Sequence, residues 1–184
     1  KNKSDKQEKI TIVASARGNA TNELESILTN AAAKKEYKSN LEKFKEYQLE
    51  PNKTIDFSQE FSKLDTIFEG VSLLGDYSQK IKDEVLAQGE LLSVKLLVSL
   101  LKKENIEANA TDARELIITD NVFGNAQPIR AVSKENVSTY YKKNKEVINI
   151  VTGFIASNQR KETTTLGRNG SNYTAALIAN YLDA

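Results

Sequence analysis

The sequence predicts an α/β fold in which a mostly parallel sheet is covered by helices on both faces. Residues 9–14 (KITIVA) and 147–155 (VINIVTGFI) are apolar runs rich in β-branched residues, which is typical of strands buried on both sides. Segments with helical spacing of apolar residues separate these runs, as expected for the helices that connect parallel strands. At 184 residues, the simplest organisation is a single domain, residues 1–184.

The elements of the first half follow from local signals. A polar loop, SARGNATNEL, follows the first strand, and Asn22 with Glu25 has the spacing of a capping box at a helix start. A charged helical stretch then runs to about Gln48, and Pro51 marks its end. Residues 56–74 predict an amphipathic helix with an aromatic stripe that packs in the core. That stripe is Phe57, Phe61, Leu64, Phe68 and Val71.

The second half begins with residues 89–103, which are apolar nearly all round and predict a deeply buried helix opening at Gly89. Residues 106–120 suggest two short strands around a turn, and a charged helix is expected at 134–143. The run 147–155 predicts one buried strand, and residues 171–182 predict the last helix. Its close-packing face is expected to contain Ala175, Ala176, Ile178, Ala179 and Leu182.

Composition excludes several kinds of chemistry. The chain has no cysteine, so it has no disulfide and no thiol nucleophile. It has no histidine, so no imidazole can act as a base or as a metal ligand. A formal net charge of +1 gives no electrostatic reason to expect a nucleic-acid or membrane partner, and we expect neither. No apolar run has transmembrane length and no signal peptide is visible, so a cytoplasmic location is expected. Because methionine is absent even at position 1, we expect the chain to begin inside a longer gene product.

Three segments are placed where α/β proteins bind ligands, in loops that enter helices. The first is the loop SARGNATN, in which Gly18 allows close backbone approach and Ser15 and Thr21 offer hydroxyl groups. A purely structural turn is the alternative interpretation of this loop. The second is Gly89-Glu90, where an acid in a first helical turn is either stabilised by the helix dipole or held to pair with a ligand ammonium.

The third segment is TTTLGRNGSNYTAA, residues 163–176. Gly167 and Gly170 bracket Arg168, and the backbone amides from Ser171 onwards begin a helix. A guanidinium group beside a helix N-terminus forms an anion site. Asn169 suits this loop because asparagine tolerates the left-handed conformation better than other non-glycine residues.

These segments together resemble the aspartokinase family. TTTLGRNGSNYTAA is similar to its Thr-Thr-Leu-Gly-Arg-Gly-Gly-Ser-Asp motif, and the Arg-Asn-Gly-Ser form looks most like the kinase half of bifunctional aspartokinase–homoserine dehydrogenases. SARGNATNEL, GELLS, DAREL, TDNVFGNA and VTGFIASN resemble further family segments, in the family's order and over nearly the whole chain.

The resemblance implies a three-layer amino acid kinase fold and ATP–Mg²⁺-dependent phosphorylation of the β-carboxylate of L-aspartate. It implies that Glu90 holds the substrate ammonium and that Arg168, beside Gly170, holds a carboxylate. Thr21 and Ser171 would supply hydroxyl contacts, with Ser15 lining the same pocket. We also expect a homo-oligomer.

Two departures from the family pattern stand out. Asn172 occupies the position of a family aspartate that is thought to orient catalytic lysines. The amide keeps the shape but loses the charge, which implies either reduced catalysis or a solution particular to this branch of the family. Nothing in the chain matches the family's opening Lys-Phe-Gly-Gly-Thr-Ser or its later nucleotide-binding segment. The chain therefore corresponds to the aspartate-binding part of a catalytic domain, and we expect these 184 residues alone not to turn over ATP.

Two alternatives remain open from the sequence. One is another acid kinase of the same fold, and the other is a non-catalytic amino-acid-binding module, which Asn172 and the missing lysine loop favour. A nucleotide acceptor is disfavoured, because Glu90 would repel its phosphate.

Overall fold

The computed structural model describes residues 9–144 and 148–184. Within these ranges the chain forms six strands and six helices, with a single 3₁₀ turn (Ala113–Glu115) after the second strand. Among the described residues, no helix combines the length and the apolar character needed to cross a membrane. In chain order the elements are β1 (Ile10–Ala14), α1 (Ala20–Ala32), α2 (Lys38–Leu49), α3 (Ser58–Leu74), α4 (Gln79–Lys103), β2 (Asn109–Thr111), β3 (Ile118–Thr119), α5 (Arg130–Lys143), β4 (Ile148–Thr152), β5 (Ile155–Asn158), β6 (Thr163–Thr165) and α6 (Gly170–Leu182).

The strands form two three-stranded sheets. In the first, with strand order β1-β4-β2, all strands are parallel; Ala14 pairs with Thr152, and Thr111 pairs with Val151. In the second, with order β3-β5-β6, β3 is parallel to β5 and β6 is antiparallel to it. The mostly parallel α/β architecture is confirmed. Because β1, β4 and β2 run in the same direction, their carboxyl ends lie along one edge of the sheet.

Helices cover both faces of the first sheet. On one face Ala14 and Ile150 pack against Val94 of α4, and α1, α2 and α3 form a large apolar core on the far side of that helix. On the other face Val151 packs in a core built largely from α5 and α6. Successive side chains of β4 point to opposite faces, so Ile150 lies in one core and Val151 in the other. This explains why the sequence of β4 is continuously hydrophobic.

Helix α4 differs from the predicted helix at 89–103. It begins ten residues earlier, at Gln79, where Ser78 accepts a hydrogen bond from the Ile81 amide at 3.3 Å. The prediction of a start at Gly89 is wrong because only the second half of the helix is strongly apolar. The first half therefore lacks the apolar pattern by which the helix was recognised. The expectation of deep burial is also wrong for the last turns, since Leu97 is 37% exposed.

The predicted strand at 147–155 is two strands. Gly153 and Phe154 interrupt the run, so β4 belongs to the first sheet and β5 to the second; Val147 lies outside the described residues. The sequence analysis also missed β6, a run of three threonines whose β-branched side chains favour strands.

Two helix details require correction. Helix α1 begins at Ala20 with Asn19 as its N-terminal cap residue, so Asn22 lies inside the helix and the capping box with Glu25 does not form. In α6, Ala175 and Ala176 are exposed, and the buried face contains Thr174, Leu177, Ile178 and Tyr181 instead. The predicted helices at 56–74 and 134–143 and the short strands within 106–120 are confirmed as α3, α5, β2 and β3.

A buried carboxylate, Asp83 of α4, connects the helix to the second sheet. Asp83 is 0% exposed. Its Oδ2 accepts the backbone amides of Gly124 at 2.8 Å and Thr165 at 3.1 Å, and its Oδ1 accepts the Thr165 hydroxyl at 3.0 Å and the Gln79 amide at 3.2 Å. Burial outweighs these hydrogen bonds and raises the pKa of Asp83. The Asp83 carboxylate thus accepts four hydrogen bonds, which fix β6 and the loop around Gly124 against α4.

We predict that Asp83→Ala lowers the free energy of unfolding by about 2–4 kcal/mol, because two buried backbone amides lose their acceptor. Asp83→Asn is expected to lose less than half as much, since its carbonyl oxygen can still accept both amides. Urea titration of each variant measures the change. Asp65→Ala, which removes an exposed ion pair with Lys45, is the matched control and should change stability by no more than about 1 kcal/mol. Equal effects of Asp83→Ala and Asp65→Ala would contradict this role.

Candidate functional site

All seven of the predicted site residues line one pocket at the carboxyl edge of the first sheet, which we call the carboxyl-edge pocket. Its volume is about 350 Å³. The loops after β1 and β4, the middle of α4 and the start of α6 contribute to it. Its lining residues are Ser15, Thr21, Glu90, Phe154, Gly167, Arg168, Asn169, Gly170, Ser171 and Asn172.

Glu90 lies on the floor of the pocket. It is 2% exposed, and its Oε2 has no hydrogen-bond partner among the described residues. Burial raises the pKa of Glu90 to about 8, against the opposing effect of a hydrogen bond from the Ala16 backbone amide. As the twelfth residue of α4, Glu90 is far from the helix N-terminus, which rules out stabilisation by the helix dipole as the reason for an acid here.

Gly89 explains how α4 comes so close to the loop after β1. A Cβ atom at this position would lie 3.1 Å from the Ala16 Cβ and 3.5 Å from Leu24 Cδ1. Glycine inside a helix costs about 1 kcal/mol relative to alanine, so a packing reason is expected for it. Here the reason is the close approach of α4 to Ala16, whose amide binds Glu90.

The loop after β1 brings two hydroxyl groups to the pocket. Ser15 directly follows the last residue of β1, and Thr21 lies in the first turn of α1. Gly18 adopts the left-handed conformation, with φ +58°, so glycine has a conformational role in this turn. The loop therefore both turns the chain and forms one wall of the pocket.

The loop between β6 and α6 forms the opposite wall. Gly167 and Asn169 have positive φ, at 75° and 58°, which confirms the predicted left-handed conformation of Asn169. Arg168 between them is exposed, and no ion pair or hydrogen bond involves its guanidinium within the described ranges. Gly170 starts α6, and its own amide donates to the Gly167 carbonyl at 3.1 Å. Among the described residues, the amides of Ser171 and Asn172 are left free beside Arg168, as an anion site requires.

Ser171 and Asn172, in the first turn of α6, complete this wall. Ser171 packs directly on the chain after β4, since a Cβ on Gly153 would lie 2.5 Å from the Ser171 Cβ and Oγ. Asn172 is exposed at the pocket.

Phe154 is a pocket residue that the sequence analysis missed. It has a positive φ of 65°, which is rare for a bulky residue. Its amide donates to Thr174 Oγ1 at 3.1 Å, and the next amide, of Ile155, donates back to the Gly153 carbonyl at 2.6 Å. Backbone strain of this kind costs roughly 1–3 kcal/mol and concentrates at functional sites. The sequence signal that could have identified Phe154 is the Gly-Phe pair inside an apolar run.

A second cavity, of about 300 Å³, lies between α3, α4 and β2. Its three cations, Lys63, Lys95 and Arg114, are each already paired with a protein carboxylate. The carboxyl-edge pocket differs because neither the buried Glu90 carboxyl nor the Arg168 guanidinium forms an ion pair with any described residue. Within residues 9–144 and 148–184, no group of three or more acidic, histidine or cysteine side chains could hold a metal ion.

Comparison with known proteins agrees with this geometry. The model of the amino acid kinase family matches residues 1–184, and the chain belongs to this family. The resemblance to aspartokinases is likewise confirmed, because relatives similar in sequence and in structure are aspartokinases.

Two curated relatives illustrate the sequence similarity. Lysine-sensitive aspartokinase 3 of Escherichia coli is 34% identical over 128 residues, which are 66% of this chain and 28% of that protein. A bifunctional aspartokinase/homoserine dehydrogenase of Buchnera aphidicola is 34% identical over 138 residues, which are 73% of this chain and 17% of that protein. The chain thus spans less than a third of either relative.

Two solved structures illustrate the fold similarity. E. coli aspartokinase III in complex with lysine and aspartate matches with a TM-score of 0.84 and 29% identity, over 95% of this chain and 40% of that one. The same enzyme in complex with aspartate and ADP matches with a TM-score of 0.77 over the same shares of both chains. The fold class predicted from the sequence is confirmed by these matches.

We predict that Glu90 makes the folded state less stable as the pH rises from about 5 to about 8. The unfolded carboxyl ionises near its usual pKa of 4.5, whereas the folded one keeps its proton until about pH 8. Between these values the folded state binds more protons, so the free energy of unfolding falls by up to about 1.4 kcal/mol per pH unit. Glu90→Gln should remove this contribution and make the slope shallower.

Urea titrations at several pH values between 5 and 8 measure the two slopes. Glu135→Gln, at an exposed carboxylate on α5, is the matched control and should leave the wild-type slope unchanged. Parallel slopes for wild type and Glu90→Gln would show that Glu90 ionises normally in the folded protein.

Proposed function

We propose that this chain supplies the aspartate-binding part of an ATP-dependent aspartate kinase, which phosphorylates the β-carboxylate of L-aspartate. The observation that carries the proposal is the presence of one buried acid, Glu90, and one unpaired arginine, Arg168, in the same pocket of about 350 Å³. Aspartate carries an ammonium group, which suits the buried acid, and two carboxylate groups, which suit the arginine.

The proposal assigns a role to each wall. Glu90 binds the substrate ammonium, because a buried carboxyl without a partner gains most from a cation placed beside it. Arg168 binds a substrate carboxylate with its planar guanidinium, assisted by the backbone amides of Ser171 and Asn172 in the first turn of α6. The hydroxyl groups of Thr21 and Ser171 contact the substrate, and Ser15 lines the pocket.

Binding of aspartate would change the charge state of the site. The ammonium favours the ionised form of Glu90, so a carboxyl that is protonated below about pH 8 releases its proton when the substrate enters. The ligand thereby neutralises a charge that the empty protein avoids by protonation. This coupling favours ligands that carry a cation over neutral or purely anionic ones.

ATP is the proposed phosphoryl donor, and Mg²⁺ its counterion. Support comes from the solved relative that contains aspartate and ADP. The described residues offer no metal-ligating cluster, so this chain is assigned no Mg²⁺ ligand. Asn172, beside Ser171 at the pocket, is the residue proposed to act in catalysis, by hydrogen bonding with its amide. A cytoplasmic location and a homo-oligomeric state complete the proposal.

Asn172 also favours a second candidate, a non-catalytic amino-acid-binding module. An amide at a position where the family has an aspartate keeps the shape of the pocket and removes one charge. In that case the carboxyl-edge pocket binds aspartate, and no phosphoryl transfer follows.

The test is an assay of the full-length gene product with ATP–Mg²⁺ and three acceptors: aspartate, glutamate and N-acetylglutamate. We expect aspartate-dependent ADP release. Glutamate should be used at least about tenfold less efficiently, the scale of discrimination for one methylene. N-acetylglutamate should be poorer still, because it lacks the ammonium and leaves Glu90 without its partner. Preference for N-acetylglutamate would overturn the proposal, and binding of aspartate without turnover would favour the binding module.

Arg168→Lys is the variant that tests the pocket in the same assay. Lysine keeps the charge but cannot form two parallel hydrogen bonds with a carboxylate. A loss of about 1.5–3 kcal/mol, or roughly ten- to a hundredfold in aspartate affinity, is expected, with little change for the nucleotide. Arg160→Lys, on the turn between β5 and β6, is the matched control. A selective loss of nucleotide affinity in Arg168→Lys would place this loop on phosphate instead.

A further inference from the structure

We propose that Arg17 is a positioning residue for the carboxyl-edge pocket, because it fixes the loop after β1 to the end of α2. Arg17 does not line the pocket. It lies next to Ala16, whose amide binds Glu90, and two residues after Ser15. The inference rests on the proposed function for its kinetic consequence, but the contacts that carry it are independent of any substrate.

Three contacts hold the Arg17 guanidinium, and we call Arg17, Tyr47 and Glu50 together the Arg17 clamp. The guanidinium carbon lies 3.7 Å from the centroid of the Tyr47 ring, in a cation–π arrangement. Nη1 donates a hydrogen bond to the Tyr47 backbone carbonyl. Nη2 forms an ion pair with Glu50 Oε2 at 3.3 Å.

The end of a helix is a favourable partner for this cation. Tyr47 lies in the last turn of α2, where carbonyl groups lack some of their helical partners and the helix dipole is negative. A planar guanidinium can stack on the ring with its face and donate hydrogen bonds from its edge at the same time. The Arg17 side chain is 25% exposed and Glu50 is 66% exposed, so solvent screens their ion pair, and the stacking and the carbonyl contact carry more of the interaction.

Gly18 shows how closely the loop is applied to α2. With φ +58°, a Cβ at this position would lie 2.6 Å from the Tyr47 hydroxyl oxygen. The loop is therefore in direct contact with the tyrosine ring on one side and with α4 on the other, where a Cβ on Gly89, the neighbour of Glu90, would lie 3.1 Å from the Ala16 Cβ. Because Ala16 and Arg17 are adjacent, a displacement of Arg17 also moves Ala16, which lies beside Glu90.

The kinetic consequence follows from where the loop acts. Release of the loop would move Ala16 away from α4 beside Glu90 and displace Ser15, and both Glu90 and Ser15 belong to the proposed amino-acid side of the pocket. We expect Arg17→Ala to raise the KM for aspartate by about tenfold, the scale for one lost hydrogen bond to a charged group. The KM for ATP should stay unchanged, and kcat should change by less than about twofold, since no group at the phosphoryl centre is altered.

The experiment compares matched variants of the full-length protein. Arg17→Ala and Tyr47→Leu remove the stacking from either side, whereas Tyr47→Phe keeps the ring and Arg160→Ala removes an arginine elsewhere. Arg17→Lys keeps the charge without the planar edge and should restore part of the loss. Steady-state kinetics give both KM values and kcat, and hydrogen exchange of the Ala16 amide reports the loop directly without any substrate.

The proposal predicts at least about tenfold faster exchange of the Ala16 amide in Arg17→Ala and Tyr47→Leu, together with the rise in aspartate KM. Tyr47→Phe and Arg160→Ala should match the wild type in both measurements. Wild-type exchange at Ala16 in Arg17→Ala would overturn the proposal, as would faster exchange with an unchanged aspartate KM. If the wild type binds no aspartate, the proposed function fails, and the exchange rates still decide whether Arg17 fixes the loop.

Discussion

Asp83 accepts four hydrogen bonds in the interior, and the relative positions of the two charged walls of the pocket depend on them. Through Thr165 it fixes the strand that leads directly to the Arg168 loop. Glu90 lies seven residues further along α4, two turns away on the same face of the helix. One rigid helix therefore carries both the acid that would meet a substrate cation and the acid that places the arginine for a substrate anion.

The pocket is costly to form in the absence of a ligand. Glu90 is buried without a partner for Oε2, Phe154 has a positive φ, and Arg168 has no counterion among the described residues. The first two features lower the stability of the free protein. A zwitterionic acid would supply the missing partners, an ammonium for Glu90 and a carboxylate for Arg168. The three buried polar threonines of β6 and the hydrogen bonds of Asp83 keep this arrangement rigid. Preorganisation of this kind lets binding energy be used for selectivity rather than for ordering the site.

The residues predicted to form a site lie together in one pocket, whereas several of the elements that hold them differ from the prediction. Glu90 and Arg168 were found because a glycine next to a charged residue in a loop or an apolar helix is a local signal. Asp83 was not found, because its role depends on Thr165, 82 residues away, and no local pattern encodes that contact. The interior position of Gly89 was missed for a related reason, since the need for a glycine there comes from Ala16 on another element. The hydrogen bond from the Phe154 amide to Thr174 at the break between β4 and β5 is likewise a contact that no local pattern encodes.

The central claim is that Glu90 exchanges its proton for the ammonium of an amino acid. Calorimetric titration of aspartate into the full-length protein at about pH 6.5, in buffers of different ionisation enthalpy, counts the protons released on binding. The account predicts release approaching one proton per aspartate for the wild type and almost none for Glu90→Gln, which should also bind more weakly. Aspartate binding to the wild type without proton release, or equal release by the two proteins, would contradict it.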